Sequence, residues 1–253
     1  MVSGMTTRIA AIELNVSDPA RLADFYCRTL GMIRSDRDGH VAVGYGADGA
    51  VLLLKQSNSS DLYRHERSDR YWKIGVTLPD LDCAHAVLAA QGISASAPHQ
   101  FHDVGYLSHL EDPEGHIIEL LQHTFEGVPK TDTGDPERPL GGGAEIGLVT
   151  LRSTDIEADL AQCEEEFGLR YLVREQLPEL GFDLYFLGKR NETAPDPNPD
   201  ALINRPWIYQ RPYTVLEFQY IRNGIDVQWP MPTQKGYTCI RVDGRGSPDQ
   251  GFV

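Results

Sequence analysis

Apolar positions along this chain fall into two alternating rhythms. Ile9 to Val16 and Trp72 to Leu78 read as strands, with side chains alternating between faces at a period of two. Each is followed by a helix. Ser17 or Asp18 caps the first, Pro19 lies in its opening turn, and Gly31 ends it just after Leu30. The second runs from about Leu81 to Gln91 and stops at Gly92. Short strands then follow, at Val41 to Tyr45 and Ala50 to Lys55 in the first unit, and at Val104 to Leu110 and His116 to Gln122 in the second. The order strand, helix, strands occurs twice within residues 1–123, which predicts an internal duplication.

Residues 124–143 carry Gly127, Pro129, Gly134, Pro136, Pro139 and Gly141 to Gly143, a composition that predicts an interdomain linker. The second domain, 144–253, opens a third unit. Its strand is Ile146 to Arg152, its helix is Asp155 to Phe167, and strands follow at Phe182 to Leu187 and Tyr213 to Tyr220. A long Pro-, Asp- and Asn-rich loop, 189–211, separates those last strands; Trp207 and Tyr209 at its end and Tyr213 just after it are expected to pack it onto the sheet, with the walls of a substrate pocket as the alternative. Gly236 to Val242 reads as an orphan strand opening a truncated fourth unit.

A hydrophobic share of 41% predicts a globular core. The net charge of −14 argues against nucleic acid and anionic membrane surfaces as partners. Four widely spaced cysteines predict reduced thiols, and no signal peptide or spanning stretch is legible, so a cytoplasmic protein is expected.

The segment Asp112-Pro113-Glu114-Gly115-His116-Ile117-Ile118-Glu119-Leu120 carries the most chemistry. Pro113 and Gly115 supply a turn, and the strand after it places Glu119 on one face with Ile117 and Leu121. A carboxylate so placed is costly unless paired, hydrogen-bonded or metal-bound. The segment resembles the D-P-x-G-x-x-x-E-L signature of the vicinal-oxygen-chelate superfamily. Val16-Ser17-Asp18, Phe25-Tyr26, Leu30-Gly31 and Lys73 to Asp82 are similar to that superfamily's first two unit openings. Phe182 to Leu187, Thr214 to Phe218 and Gly236 to Ile240 resemble glyoxalase I specifically.

The resemblance implies an α+β fold of tandem βαβββ units that pair into cup-shaped open sheets, here three complete units plus the orphan strand. It also implies a site inside the cup of units one and two, with Glu119 as the last ligand of a metal. The other ligand positions of that cup fall on Ala11, Lys73 and near Leu53; those of the third and fourth units fall on Leu148, Glu217 and Tyr237. Alanine and leucine have no donor atom and a charged lysine is a poor ligand, so no metal or other cofactor is predicted. A divalent Mn, Fe or Zn on Glu119, His109 and Glu13 is the alternative.

Strand phase then assigns Glu13, Lys73, His109 and Glu119 as catalytic candidates in that first cup. Lys73 paired with Glu119 as a plain structural ion pair is the competing reading. Asn15, Thr77, His123, Glu217 and Tyr237 are candidate substrate contacts, with His123 on the rim. The remaining histidines, including His65, His99 and His116, are expected at the surface, and Glu217 is expected to pair with Arg152 or Arg241. These residues predict a small-molecule enzyme working by metal-independent proton transfer, as an isomerase, epimerase, lyase or cyclase. A metal-dependent lyase or ring-cleaving dioxygenase and a non-catalytic binding protein are the alternatives. The unpaired third unit predicts a homodimer in which two copies share a second cup.

Overall fold

The computed structural model describes residues 7–46, 49–57, 63–222, 224–231, 234–243 and the backbone of 251–252. Unit one comprises β1 (Arg8–Val16), α1 (Pro19–Leu30), β2 (Ile33–Arg37), β3 (His40–Gly44) and β4 (Val51–Gln56). Unit two comprises β5 (Tyr71–Leu78), α2 (Leu81–Ala90), β6 (His99–Phe101), β7 (Gly105–Glu111) and β8 (Ile117–Gln122). Unit three comprises β9 (Glu145–Ser153), α3 (Ile156–Glu165), β10 (Leu169–Leu177), β11 (Phe182–Lys189), the short α4 (Asn204–Ile208) and β12 (Val215–Ile221). The chain continues into β13 (Gly236–Asp243) and β14 (Gly251–Phe252). β2, β6 and β10 carry no clear alternation in the sequence. β2 in particular is a polar edge, with four of its five residues exposed.

The strands pair differently from the sequence-based expectation. Units one and two do not share a cup. Unit two joins unit three in an eight-stranded sheet, ordered β10-β11-β12-β9-β5-β8-β7-β6, closed at the centre by the antiparallel β5–β9 pair. Unit one joins the orphan strand in a six-stranded sheet, β14-β13-β1-β4-β3-β2. The unpaired third unit, which was the reason to expect a shared cup between two copies, therefore finds its partner within the chain. β13 fills the place beside β1, from Arg8↔Asp243 to Asn15↔Gly236.

Local chemistry sets the helix starts, and at α1 the cap is Asp18, one of the two residues the sequence offers. Asp18, Asp80 and Asp155 each accept a hydrogen bond from the backbone N–H three residues on, at 3.0–3.1 Å. Gly31 closes α1 in the left-handed region, at φ 76°.

The Asp112–His116 turn ties units one and two together. Asp112 accepts from the N–H groups of Glu114 and His116, from Tyr26 Oη at 2.9 Å and from His116 Nδ1 at 2.8 Å. Glu114 accepts from the N–H groups of Ser17 and Asp18 at 2.7–2.9 Å, so its charge sits at the positive N-terminus of α1. His116 is buried against the Tyr63 ring and is not at the surface, because both the turn and the stacking enclose it. Residues 124–143 pack rather than swing free: Leu140 is buried, Gly134 lies against Cys83, and Lys130 bridges Asp80 and Asp82.

Candidate active site

The concave face of the eight-stranded sheet encloses a cavity of about 490 Å³, within the size range of small-molecule sites. A row of polar side chains crosses its floor over five adjacent strands. His109 on β7 faces Glu119 on β8, and Glu119 lies beside Gly75 on β5. Lys73, two residues before Gly75 and on the same face, is opposite Thr150 on β9. Thr150 is in turn beside Glu217 on β12. Period-two geometry alone aims these groups inward, and strand pairing puts them in contact.

Lys73 Nζ donates to Glu119 Oε2, and His109 Nε2 lies 3.1 Å from the same oxygen, within ion-pair reach but off the line of a good hydrogen bond. Thr150 Oγ1 donates to Glu217. Burial acts to raise the Glu119 pKa, but the Lys73 ammonium and then His109 outweigh it and hold the carboxyl at about 2. Burial raises the pKa of Glu217, and the negative Glu119 adds to it, against the pull of Lys73. The floor thus holds two carboxylates whose proton affinities are pushed in opposite directions.

The walls are mainly apolar, from Trp72, Phe101, Leu107, Leu121, Leu184 and Tyr209. Tyr209 comes from the loop region 189–211, so that loop both packs onto the sheet and lines the site. Behind it lies Glu175, fully buried; its carboxyl is raised well above the ordinary range by burial, against the Arg205 guanidinium 3.9 Å away. The Tyr209 hydroxyl is 2.9 Å from both Glu175 Oε1 and the Val104 carbonyl. One phenolic hydrogen cannot serve two acceptors, so a protonated Glu175 donating to Tyr209 satisfies both contacts.

Of the four catalytic candidates, Lys73, His109 and Glu119 come together and Glu13 does not. Glu13 belongs to the six-stranded sheet, where Lys55 and Arg241 hold it. Burial acts to raise its pKa, but those two cations outweigh it and lower the value. Asn15 donates to the Gln234 carbonyl at 2.9 Å, and Tyr237 stacks on Tyr71; both stay with the six-stranded sheet. Thr77 is buried against Gly147 on β9. His123 contacts Thr131 outside the cavity, and burial lowers its pKa to about 4. Glu217 lines the cavity. It pairs with neither expected arginine, because Arg241 is taken by Glu13 and Arg152 by Gln219 and backbone carbonyls. His65 and His99, expected at the surface, line the cavity, together with Arg67 and Arg152. Arg152 was legible from its phase with Leu148 and Thr150; His65 and Arg67 lie outside any periodic element and gave no signal.

With units two and three paired, the superfamily's ligand positions in this cavity fall on Lys73, Glu119, Leu148 and Glu217. Ala11 and Leu53 lie instead in a small apolar cluster of the other sheet. Leu148 has no donor atom, and Lys73, a charged ammonium with no lone pair, stands at a ligand position and donates to Glu119 Oε2. The alternative set fails because Glu13 is in the other sheet. Among the described residues, no three His, Cys, Asp or Glu side chains are grouped to hold a metal ion. The residues present do not fit a divalent metal.

A family model described as the Glyoxalase/Bleomycin resistance protein/Dioxygenase superfamily matches residues 8–120. A catechol-2,3-dioxygenase from Bacillus subtilis (strain 168) is 32% identical over 122 residues, which is 45% of this chain and 41% of that relative. The chain therefore spans about two fifths of the length of the curated relative it matches. Glyoxalase I from Zea mays superposes with a TM-score of 0.66 at 16% identity, covering 94% of this chain and 74% of that one, a likeness of fold. Among the described residues, no helix is long and apolar enough to cross a membrane.

Proposed function

Residues 8–120 match the model of the Glyoxalase/Bleomycin resistance protein/Dioxygenase (vicinal-oxygen-chelate) superfamily, and we propose that the chain is an enzyme of that superfamily that moves a proton on a small carbonyl compound without a metal. The observation that carries this reading is the floor of the cavity, where a cation-pinned Glu119 and a Glu217 with raised pKa flank one ammonium. Pairs of titratable groups pushed apart in this way mark acid and base assignments. His109 is the most open of the floor groups, at 33% side-chain exposure against 4% for Glu119 and Lys73. In this reading His109 takes the proton from the carbon next to the carbonyl. The electron pair moves onto the carbonyl oxygen, and Lys73 stabilises the resulting enolate. Glu119 steadies the imidazolium, and Glu217 in its acid form returns a proton. The net reaction is an isomerisation or epimerisation, or an elimination where a leaving group sits one carbon further on.

The test is solvent exchange. Protein treated with EDTA is incubated in D2O with 2-oxo acids, 3-oxo acids and α-hydroxy ketones, and loss of C–H signal is followed by proton NMR. At least one compound should exchange about 100-fold faster than in buffer, with His109→Asn and Glu119→Gln losing about that factor. Exchange that appears only on adding Mn, Fe or Zn, no exchange across the series, or unaffected variants would each overturn it.

Ring cleavage of a catechol-type molecule is the second reading. The name of the Bacillus subtilis relative favours it, and the Lys73–Glu119 contact and Leu148 stand against it. A homodimer stays in the proposal because the six-stranded sheet ends on β2, whose Ile33 is 65% exposed. A sedimentation mass of one chain would remove it.

A further inference from the structure

The cavity has a second polar end that the acid–base floor does not use. Arg152 on β9 and Arg67 and His65 in the segment before β5 all line it. Arg152 is 5% exposed, and a guanidinium stays charged when buried. Among the described residues no carboxylate lies within ion-pair distance of it. Its partners are neutral: Nε donates to Gln219 Oε1 at 3.2 Å, Nη1 to the carbonyls of Glu66 and Asp69 at 3.1 and 3.0 Å, and Nη2 to His65 Nε2 at 3.1 Å. Of the five N–H bonds of a guanidinium, these leave one on Nη2 without a protein acceptor.

His65 accepts from Arg152, so its ring is neutral; burial and the arginine both lower its pKa. Asp69 is the nearest compensating acid, but its Oδ2 is occupied by Tyr63 Oη at 2.8 Å and the Glu66 N–H at 2.9 Å. Arg67 is a second cation on the same wall, close enough to oppose the charge of Arg152. Asp69 offsets part of the Arg152 charge and Arg67 opposes it; an anion between the two guanidiniums would meet the remaining Nη2 N–H and pair with both cations.

The contrast with the rest of the chain sharpens the point, because the whole protein carries a net charge of −14. Trp72 joins the two ends, with Lys73 Nζ 4.1 Å and the Arg152 guanidinium 5.3 Å from its ring. We propose that Arg152 and Arg67 bind the carboxylate of an otherwise apolar or aromatic substrate, whose body lies along Trp72 with its reactive carbon toward His109. This specificity rests on the cavity being the substrate site of the proposed reaction.

The test uses benzoate, phenylacetate and 3-phenylpropionate, each with its uncharged primary amide, titrated against the whole protein by calorimetry and Trp fluorescence. At least one acid should bind about tenfold or more tightly than its amide. Arg67→Gln, at an exposed position, and Arg152→Lys should bring that ratio close to one, and Arg28→Gln, an exposed cation on α1 away from the cavity, should leave it intact. Should Arg152→Lys fail to fold, Arg67→Gln decides alone. Equal binding of acids and amides, no binding of any acid up to about 10 mM, or a ratio unchanged in both arginine variants would overturn the proposal. The proton-transfer reading fails separately, through absent exchange in D2O with the acid–amide ratio intact.

Discussion

Lys73→Met keeps the length and apolar stem of the lysine but removes the ammonium from Glu119, which is 3% exposed. In the native protein Glu119 is held at about 2 against an ordinary value of 4.5. Each tenfold in proton affinity is worth about 1.4 kcal/mol, so this corresponds to about 3 kcal/mol. Because the folded pKa is depressed, that stability is present above about pH 4.5 and is lost as pH falls toward 2. Without Lys73, burial dominates and the folded pKa rises. The sign of the contribution then reverses, so stability is present below pH 4.5 and falls as pH rises through neutrality. At pH 7 the variant should lose about 3–5 kcal/mol, the cost of leaving one charge of a buried pair unmatched. Lys73→Met/Glu119→Gln should regain much of this, since a neutral amide needs no counter-charge. Urea unfolding followed by circular dichroism between pH 4 and 8 measures it, and subtracting the double variant from the single cancels the titrating groups that do not interact with Glu119. A flat difference curve, or a loss at pH 7 under about 1 kcal/mol, would refute the claim that Lys73 is what keeps Glu119 ionised.

Three further outcomes follow from the packing. Glu175→Gln should change stability by under about 1 kcal/mol near pH 4, because the amide can replace a protonated carboxyl beside Tyr209, and should make the protein more stable than the native chain at pH 7. As the folded pKa of Glu175 is raised, the native protein should also lose stability as pH rises above about 4.5, and the variant should lack that part of the slope in chemical denaturation. Gly115→Ala should cost about 1–3 kcal/mol in the same assay, since φ is 95° and a Cβ would lie 2.8 Å from the Tyr63 carbonyl. Glu114→Ala removes the acceptor of the Ser17 and Asp18 N–H groups just before α1 and cuts a tie between units one and two; a loss of about 1–2 kcal/mol in thermal unfolding is expected, and no loss would mean water serves those N–H groups equally well.

Much of the local structure was readable from single residues. Asp18, one of the two caps expected for α1, starts that helix through a side-chain oxygen three residues from its donor, a contact that needs no distant partner. Alternation placed Lys73, His109 and Glu119 on inward faces, and the Asp112–Gly115 turn marked where β8 begins. Those signals work because their geometry closes within a few residues. Pairing between units does not. β1, β5 and β9 present similar apolar faces, and a period-two pattern carries no label for the strand that will lie beside it. Only the tertiary structure put β9 rather than β1 against β5. That one choice removed Glu13 from the site, brought Glu217, Thr150 and Arg152 into it, and reduced the ligand positions to Lys73, Glu119, Leu148 and Glu217. It also gathered His65 and Arg67 from outside any regular element, where a side chain's neighbours are set by long-range contacts and not by spacing along the chain.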